Sequence, residues 1–397
     1  MREAPSSGTR GNGPADGSGG TRGDGSADGG TGVTKARAAV LRRRGGPFRI
    51  EEVTVADPGP GEVLVRCVAT GVCHTDLLAV DGVLPPASPV VLGHEGSGHV
   101  AAVGPGVAGL AVGDPVVLSP AACRTCRTCV GGHPMLCERF LPLNLAGARP
   151  DGTSAYQDAD GQRLNGHFFG QSSFASYVVV GAHSAVPVDP AAPLALLGPL
   201  GCGFQTGAGA VLNVLGPAEG ETLVVIGVGA VGLAAVLAAA IRRCGRIVAV
   251  DRNPERLKLA LDLGATHAVD AATDDLPTAI AKTADGRVDC VLDAVGTSAT
   301  ARTAIEATGF GGRIAIAGSH GAGAELTVGL SAVFGRTIHG VSQGDSTPAE
   351  FIPQLVAHHR AGRFPIDRLI RSYPLAEIGR AVADAKAGRT VKPVLLH

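Results

Sequence analysis

Thr222-Leu-Val-Val-Ile-Gly227-Val-Gly229-Ala-Val-Gly232 is the most informative segment for the fold of this chain. Its β-branched first half predicts a buried strand, and the apolar residues after it, 233–241, predict a helix. Between them the chain turns through G-x-G-x-x-G. Glycines there permit a tight turn and a close approach of the backbone to a pyrophosphate, whose charge the helix N-terminus favours. Because this motif alone is weak evidence in a glycine-rich chain, the prediction also needs a second strand after the helix.

Such a strand is predicted at Arg246-Ile-Val-Ala-Val-Asp251, and it ends in an acid. Asp251 lies about twenty residues beyond the last glycine, where a carboxylate binds the ribose hydroxyls of adenosine. Its negative charge would repel a 2′-phosphate. The pattern therefore predicts a dinucleotide site for NAD rather than NADP.

Four cysteines form a compact motif, C-x2-C-x2-C-x7-C, at Cys123, Cys126, Cys129 and Cys137. Thiolates so close in sequence can converge on one tetrahedral Zn²⁺ and close its coordination. An iron–sulfur cluster is the first alternative, although its cysteine run normally continues C-x3-C-P, and disulfides are the second. We predict a structural zinc site.

A different set of metal-type residues flanks this motif: Cys73, His94 and Cys202. Two thiolates and one imidazole supply three ligands to zinc and leave a fourth position open, the composition of a catalytic site. One such residue alone is usually a buried core residue. Together they predict a second zinc, which makes two per chain.

Composition excludes several classes of protein. The 397 residues suffice for two domains, and a net charge of −1 with 3% aromatic residues lacks the footprint of a nucleic-acid binder. No apolar run approaches the roughly 20 residues that span a bilayer. Six of the nine cysteines are assigned to zinc, and thiolate ligands indicate a reducing compartment, so we expect a cytoplasmic protein.

Four segments are expected along the chain. Residues 1–34, eleven of them glycine, predict a disordered tail. Residues 35–203 hold many short β-type runs, whereas 204–345 alternate strands, such as 288–294 and 313–318, with helices. Residues 346–397 are expected to return to the first domain.

Several motifs in this order resemble those of the zinc-dependent, medium-chain alcohol dehydrogenases, and the resemblance covers residues 36–397. The motifs are both cysteine sets, Gly93-His94-Glu95, Asp151-Gly-Thr-Ser154, Gly201-Cys202-Gly-Phe-Gln-Thr-Gly207 and the dinucleotide turn. The family implies an α/β protein with a GroES-like, β-rich catalytic domain and a Rossmann domain containing a doubly wound parallel sheet. It also implies oxidation of an alcohol on zinc with hydride transfer to NAD, in a homodimer or homotetramer.

The resemblance also assigns roles outside the metal ligands. Thr75 matches the hydroxyl that accepts the alcohol proton, Asp76 the carboxylate that orients the ligand imidazole, and Glu95 an acid beneath the metal. Three basic residues match positions that contact the cofactor: His74 and Lys392 at the pyrophosphate, and Arg256 near the adenosine ribose.

Two departures from the best-known members concern the substrate end. Leu78 stands where many relatives carry a histidine that passes the proton to solvent, so the relay must end elsewhere. Ser119 stands where several carry an aromatic residue. With Phe168 and Phe169, these positions most resemble the benzyl alcohol dehydrogenases. Ser119, Phe168 and Phe169 are expected to line an apolar pocket for an aryl or allylic alcohol.

Two other functions stay open. A thiol-dependent formaldehyde dehydrogenase of the same fold would need a cationic pocket for a glutathione or mycothiol carboxylate. A non-enzymatic zinc protein would have kept the cysteine motif and lost activity, although the complete set with Thr75 and Asp251 argues against it.

Overall fold

The computed structural model describes residues 32–318 and 325–397, which contain three β-sheets. The strands are β1 Val33–Leu41, β2 Phe48–Ala56, β3 Glu62–Gly71, β4 Val90–Val91, β5 Gly96–Val103, β6 Pro115–Leu118, β7 Tyr156–Asp158, β8 Arg163–Leu164, β9 Tyr177–Gly181, β10 Ala185–Pro187, β11 Thr222–Ile226, β12 Arg246–Asp251, β13 His267–Asp270, β14 Cys290–Asp293, β15 Arg313–Ile316, β16 Thr337–Gly340, β17 Ile370–Pro374 and β18 Lys392–Leu396.

Helices connect these strands, and most of them lie in the second half of the chain. They are α1 His74–Val80, α2 Arg127–Val130, α3 Phe140–Leu145, α4 Leu194–Leu197, α5 Gly203–Gly209, α6 Ala230–Ile241, α7 Pro254–Asp262, α8 Leu276–Thr283, α9 Ser298–Ala307, α10 Pro348–Arg360 and α11 Ile378–Lys386. A π-helical segment, Ala210–Leu215, continues α5.

One sheet is parallel, with six strands in the order β13-β12-β11-β14-β15-β16. This is the doubly wound Rossmann order, in which the chain reverses direction across the sheet beside β11. Every residue of β11 is buried, as expected for a strand covered by helices on both faces. Helix α6 is apolar on all sides and buried from Gly232 to Ala239, so it packs as a core helix.

The other two sheets are mainly antiparallel and form the β-rich part. One has the order β4-β1-β2-β7-β8, and the other β10-β6-β5-β3-β18-β17, with β9 also pairing with β3. The last strand, β18, pairs antiparallel with β3 through Val394 opposite Gly71. The C-terminal residues thus complete a sheet that the first hundred residues begin.

Most predicted strands occur with small differences at their ends. The predicted strand 288–294 spans Cys290–Asp293, and 313–318 spans Arg313–Ile316. The predicted disordered tail was too long, because Val33 and Thr34 belong to β1 and pair with Ala56 and Val55. The rest of that tail, residues 1–31, lies outside the described residues.

Within residues 32–318 and 325–397, no single helix is long and apolar enough to cross a membrane. One pair, Leu194–Gly201 with Gly203–Leu215, meets the length and composition required only when both parts are counted across a 59° bend.

Candidate metal and dinucleotide site

The four cysteines of the lobe, residues 123–137, meet in space. Their sulfurs all lie within 4.8 Å of one another, with 3.9 Å between Cys123 and Cys129 and 4.0 Å between Cys126 and Cys137. A tetrahedron with metal–sulfur bonds of about 2.3 Å has edges of roughly 3.8 Å. The observed separations therefore fit one zinc ion.

Backbone N–H groups of the lobe point at these sulfurs. The amides of Cys123 and Arg139 both donate to the sulfur of Cys137 at 3.3 Å, and the amide of Cys126 donates to Cys123 at 3.3 Å. Such bonds stabilise thiolates. A hydrogen bond with Thr128 also lowers the pKa of Cys126 to about 5, whereas burial raises the pKa of Cys129 and of Cys137. The lobe is arranged for thiolate ligands rather than for a disulfide, and all nine cysteines of the chain are free.

The second metal-type cluster combines residues from three places in the chain. Cys73 directly precedes α1, His94 and Glu95 directly precede β5, and Cys202 directly precedes α5. Ligand atoms of Cys73, His94, Glu95 and Cys202 lie within 4.8 Å of one another. The Nε2 atom of His94 is buried and has no hydrogen-bond partner. An unpartnered buried nitrogen is costly unless a ligand satisfies it, so this cluster fits a metal ion.

Asp76 fixes the orientation of the His94 ring. Its Oδ1 atom lies 2.9 Å from Nδ1 of His94 and 3.2 Å from the amide nitrogen of Gly93, and Oδ2 accepts a 2.8 Å bond from the amide of Cys73. Burial opposes protonation of His94, but the charges of Asp76 and Cys73 outweigh it and raise its pKa well above the usual value. The negative groups of the cluster therefore favour a bound cation. Because Nδ1 of His94 is bonded to Asp76, Nε2 is the ring nitrogen that remains to bind that cation.

Glu95 lies beneath the cluster in a fully buried ion pair with Lys392. The lysine Nζ is 2.8 and 2.9 Å from the two carboxylate oxygens, and Gly203 donates its amide to one of them at 3.2 Å. Burial opposes the charge of Lys392, but Glu95 outweighs it and keeps its pKa above the usual value. The prediction that Lys392 contacts the pyrophosphate was wrong, because Glu95 holds its ammonium group inside the protein.

One cleft of about 910 Å³ joins this cluster to the dinucleotide turn. Its wall includes Cys73, His74, Thr75, Leu78, Cys202, Gly227, Gly229, Asp251, Arg252 and Arg256. Thr75 places its hydroxyl oxygen 3.7 Å from the Cys73 sulfur. The structure therefore brings the predicted metal, proton-transfer and cofactor residues together along one surface.

The three glycines of the turn do different things. Gly227 has φ +85°, which favours glycine, and a side chain at Gly232 would approach the carbonyl oxygen of Gly227 to 1.9 Å. At Gly229 nothing lies within 4 Å of a Cβ position. Gly227 thus allows the turn, Gly232 allows α6 to pack on it, and Gly229 leaves room for a phosphate, as the fingerprint requires.

Asp251 is held in place at the end of β12. Its carboxylate accepts 2.9 Å bonds from the amides of Val228 and Asn253, one on each oxygen. Both oxygens retain further lone pairs, and the residue lines the cleft. This geometry leaves the carboxylate able to accept the hydroxyls of a ribose.

The structure separates the three residues that were predicted to line the substrate pocket. Phe169 lines the cleft and stacks on His94, with 4.5 Å between ring centroids. Phe168 is fully buried with its ring edge-on to His94, and Ser119 is buried beneath the cleft wall with its amide bonded to Ser184. Neither Phe168 nor Ser119 is part of the lining, so both predictions were wrong.

Sequence reasoning missed most of the apolar wall. Besides Leu78 and Phe169, the lining includes Leu84, Phe140, Leu141 and Leu145. Three of these lie on α3, just after the lobe. The run Phe-Leu-Pro-Leu-Asn-Leu at 140–145 was the available signal, but only the fold shows that it faces the metal cluster.

Comparison with known proteins agrees with this geometry. Residues 59–190 match the family model described as alcohol dehydrogenase GroES-like domain, and residues 230–358 match zinc-binding dehydrogenase. The chain is 43% identical to geraniol dehydrogenase of Castellaniella defragrans over 91% of its length and 97% of that protein. The chain belongs to the zinc-dependent medium-chain alcohol dehydrogenases.

Two further similar proteins carry names that indicate different substrates. The structure of benzyl alcohol dehydrogenase from Acinetobacter calcoaceticus superposes with a TM-score of 0.88 and 41% identity, covering 91% of this chain and 99% of that one. The putative S-(hydroxymethyl)glutathione dehydrogenase 2 of Schizosaccharomyces pombe is 37% identical, over 91% of this chain and 97% of that protein.

The two clusters predict two metal sites with different roles, and loss of one metal should not require loss of the other. Metal analysis of the purified protein should give two zinc atoms per chain. Cys202→Ala should abolish alcohol oxidation and leave the lobe zinc bound, whereas Cys126→Ala should lower the melting temperature, because structural zinc contributes folding free energy directly. Identical failure of both variants, or one zinc in the wild type, would contradict this division.

Proposed function

We propose that this protein is an NAD-dependent zinc alcohol dehydrogenase that oxidises a primary allylic or aryl alcohol to the aldehyde, reversibly. The observation that carries the proposal is the single cleft in which a three-ligand metal cluster, a dinucleotide turn and an apolar wall meet. Cys73, His94 and Cys202 would hold the catalytic zinc, and Cys123, Cys126, Cys129 and Cys137 the structural one. Zinc bound by Cys73, His94 and Cys202 would act as a Lewis acid that lowers the pKa of the alcohol.

Protein groups perform the remaining tasks. Thr75, whose hydroxyl oxygen lies 3.7 Å from the Cys73 sulfur, would accept the alcohol proton, and Asp76, bonded to Nδ1 of His94, would keep Nε2 directed at the metal position. Because Leu78 cannot carry a proton, a proton accepted by Thr75 would have to leave by a route that does not use this position. His74, Gly229, Asp251 and Arg256 line the part of the cleft that would hold NAD.

The wall near the metal cluster supports an apolar substrate. Leu78, Leu84, Phe140, Leu145 and Phe169 contribute only carbon to it, and Leu141 is 65% exposed, so its surface is available to a ligand. The arginines of the lining, Arg252 and Arg256, instead follow Asp251 in the sequence, just after β12 and within α7. Burial of apolar substrate surface against the leucine and phenylalanine wall is favoured by roughly 25 cal/mol per Å².

A glutathione-type adduct is the second candidate, favoured by the 37% identity to the S. pombe protein. Its carboxylates require cations beside the metal cluster. In the described residues, no lysine lines the cleft, and its leucine and phenylalanine side chains supply no charge for such a carboxylate. The apolar alcohol is therefore the better-supported substrate.

A homologous series of primary allylic alcohols tests the substrate class. Since each buried CH₂ is worth about 0.8 kcal/mol, kcat/KM with NAD should rise about fourfold per added carbon until the cleft is filled, and geraniol and benzyl alcohol should far exceed ethanol. Leu141→Asn should reduce this dependence on chain length, while Val112→Asn, at an exposed valine outside the cleft, should not. A flat series, with turnover only of S-(hydroxymethyl)glutathione, would favour the second candidate.

Cofactor choice depends on Asp251. Its charge opposes a 2′-phosphate, while Arg252 beside it lines the cleft and can pair with one. Wild type should therefore have the higher kcat/KM with NAD, and Asp251→Ser should narrow or reverse the ratio, mainly through KM for the cofactor. Steady-state kinetics with both cofactors and one alcohol measure this. A ratio that does not move would show that Asp251 is not at the ribose.

We also propose a cytoplasmic homo-oligomer. Strand β16 ends the parallel sheet, and Phe310, Leu330 and Phe334 expose 84%, 80% and 65% of their surface in the described segments near it. A second copy of the chain paired along β16 would cover both the sheet edge and these side chains. Light scattering that gives a monomer would refute the oligomer.

A further inference from the structure

A short turn between β16 and α10 reaches the metal cluster from the parallel-sheet side. Its three central residues, Gln343, Gly344 and Asp345, all have left-handed φ angles of +51°, +69° and +45°. Non-glycine residues adopt this region rarely, and such residues concentrate where function requires them. The turn directs the side chain of Gln343 into the cleft, where Nε2 lies 3.7 Å from the sulfur of Cys202.

The direction of the Gln343 amide is set by its neighbours. The Nε2 atom of Gln205 lies 2.6 Å from the carbonyl oxygen of Gly201, and since a carbonyl only accepts, the NH₂ end of Gln205 must face that way. The hydroxyl of Ser346 lies 3.0 Å from the other end, Oε1, and completes its hydrogen bonding. The orientation of Gln205 is therefore fixed inside the protein.

Gln205 in turn fixes Gln343. The Nε2 atom of Gln205 also donates to Oε1 of Gln343 at 3.2 Å, so the carbonyl end of Gln343 faces Gln205. Its NH₂ end then faces Cys202. Three residues thus form a chain of donors that ends at a thiolate ligand.

The backbone of the turn is held equally firmly. The carbonyl oxygen of Gly344 accepts a 3.0 Å bond from the side chain of Asn213, and a Cβ at Gly209 would approach the same oxygen to 2.5 Å. On the other side, Asp345 lies 3.0 Å from Nδ1 of His133 in the four-cysteine lobe. Gln343 therefore has little freedom to move away from Cys202.

We infer that Gln343 is a positioning residue that donates an N–H···S hydrogen bond to the thiolate of Cys202 and so tunes the catalytic metal. This inference rests on the zinc site proposed above. A hydrogen bond withdraws electron density from the sulfur, which makes a metal held by that sulfur a stronger Lewis acid. Gln343 is not assigned to touch the substrate.

The variant Gln343→Glu tests the N–H donor of Gln343 separately from its acceptor oxygen. An ionised glutamate still accepts from Gln205 but cannot donate to Cys202, and Gln343→Met removes both functions at similar size. The matched control is Gln354→Glu on the exposed face of α10, which makes the same chemical change away from the cleft. All variants are compared as full-length protein with cobalt exchanged into the catalytic cluster and zinc retained in the lobe, verified by metal analysis.

The sulfur-to-cobalt charge-transfer band is the main readout, because a merely structural role would not move it. Loss of the N–H···S bond raises the energy of the sulfur lone pairs, so the band should shift to longer wavelength in Gln343→Glu and Gln343→Met and stay in place in Gln354→Glu. With zinc, kcat should fall about tenfold in both variants while KM for the alcohol changes little.

Three outcomes would overturn the inference. Bands that coincide with the wild-type band in both variants would show that no such bond reaches the metal ligand. Failure of both variants to hold cobalt at saturating metal would indicate a structural role instead, because one lost bond of this kind costs only about 10- to 100-fold in affinity. A wild type that takes up no cobalt at this cluster would overturn the proposed zinc site as well.

Discussion

The buried ion pair of Glu95 and Lys392 constrains how the two ends of the β-rich part come together. Both side chains are essentially removed from water, and desolvation costs several kcal/mol per ion unless each has its partner. Lys392 is the first residue of β18, whereas Glu95 directly precedes β5. The pair can form only when the C-terminal strand has docked on β3, so that strand supplies the partner of an acid that lies in the metal-type cluster.

Close backbone packing around Glu95 results from that constraint. A Cβ at Gly71 would approach one carboxylate oxygen to 1.9 Å, and the amide of Gly203 donates to the other oxygen. Gly203 is the residue directly after Cys202, so the carboxylate also fixes the start of α5. The ligands of the proposed metal site thus come from distant parts of the chain, and one buried charge holds their backbones in place.

Sequence patterns predicted features that depend on local spacing. The parallel strands, the turn at Gly227 and the ligand sets were predictable from residue types at short intervals, because period and glycine placement determine local backbone geometry. The failures concern side-chain direction set by long-range packing. Lys392 points inward because β18 pairs with β3, and Ser119 and Phe168 are covered by neighbouring side chains, Ser119 beside Gln205 and Phe168 beside His94. Val33 was assigned to the tail because its strand partner, Ala56, is distant in sequence and no local pattern indicates the pairing.

The position of Gln343 is another feature that sequence patterns could not predict. It also suggests that the four-cysteine lobe does more than stabilise the fold. Nothing in Ser-Gln-Gly-Asp-Ser at 342–346 distinguishes it from an ordinary loop. Its geometry exists because the lobe holds it, through Asp345 to His133 and through the Thr347 hydroxyl to the carbonyl oxygen of Gly132 at 3.1 Å. A metal bound by the lobe would order the segment that carries His133. It would thereby support a side chain that contacts Cys202 of the proposed catalytic site.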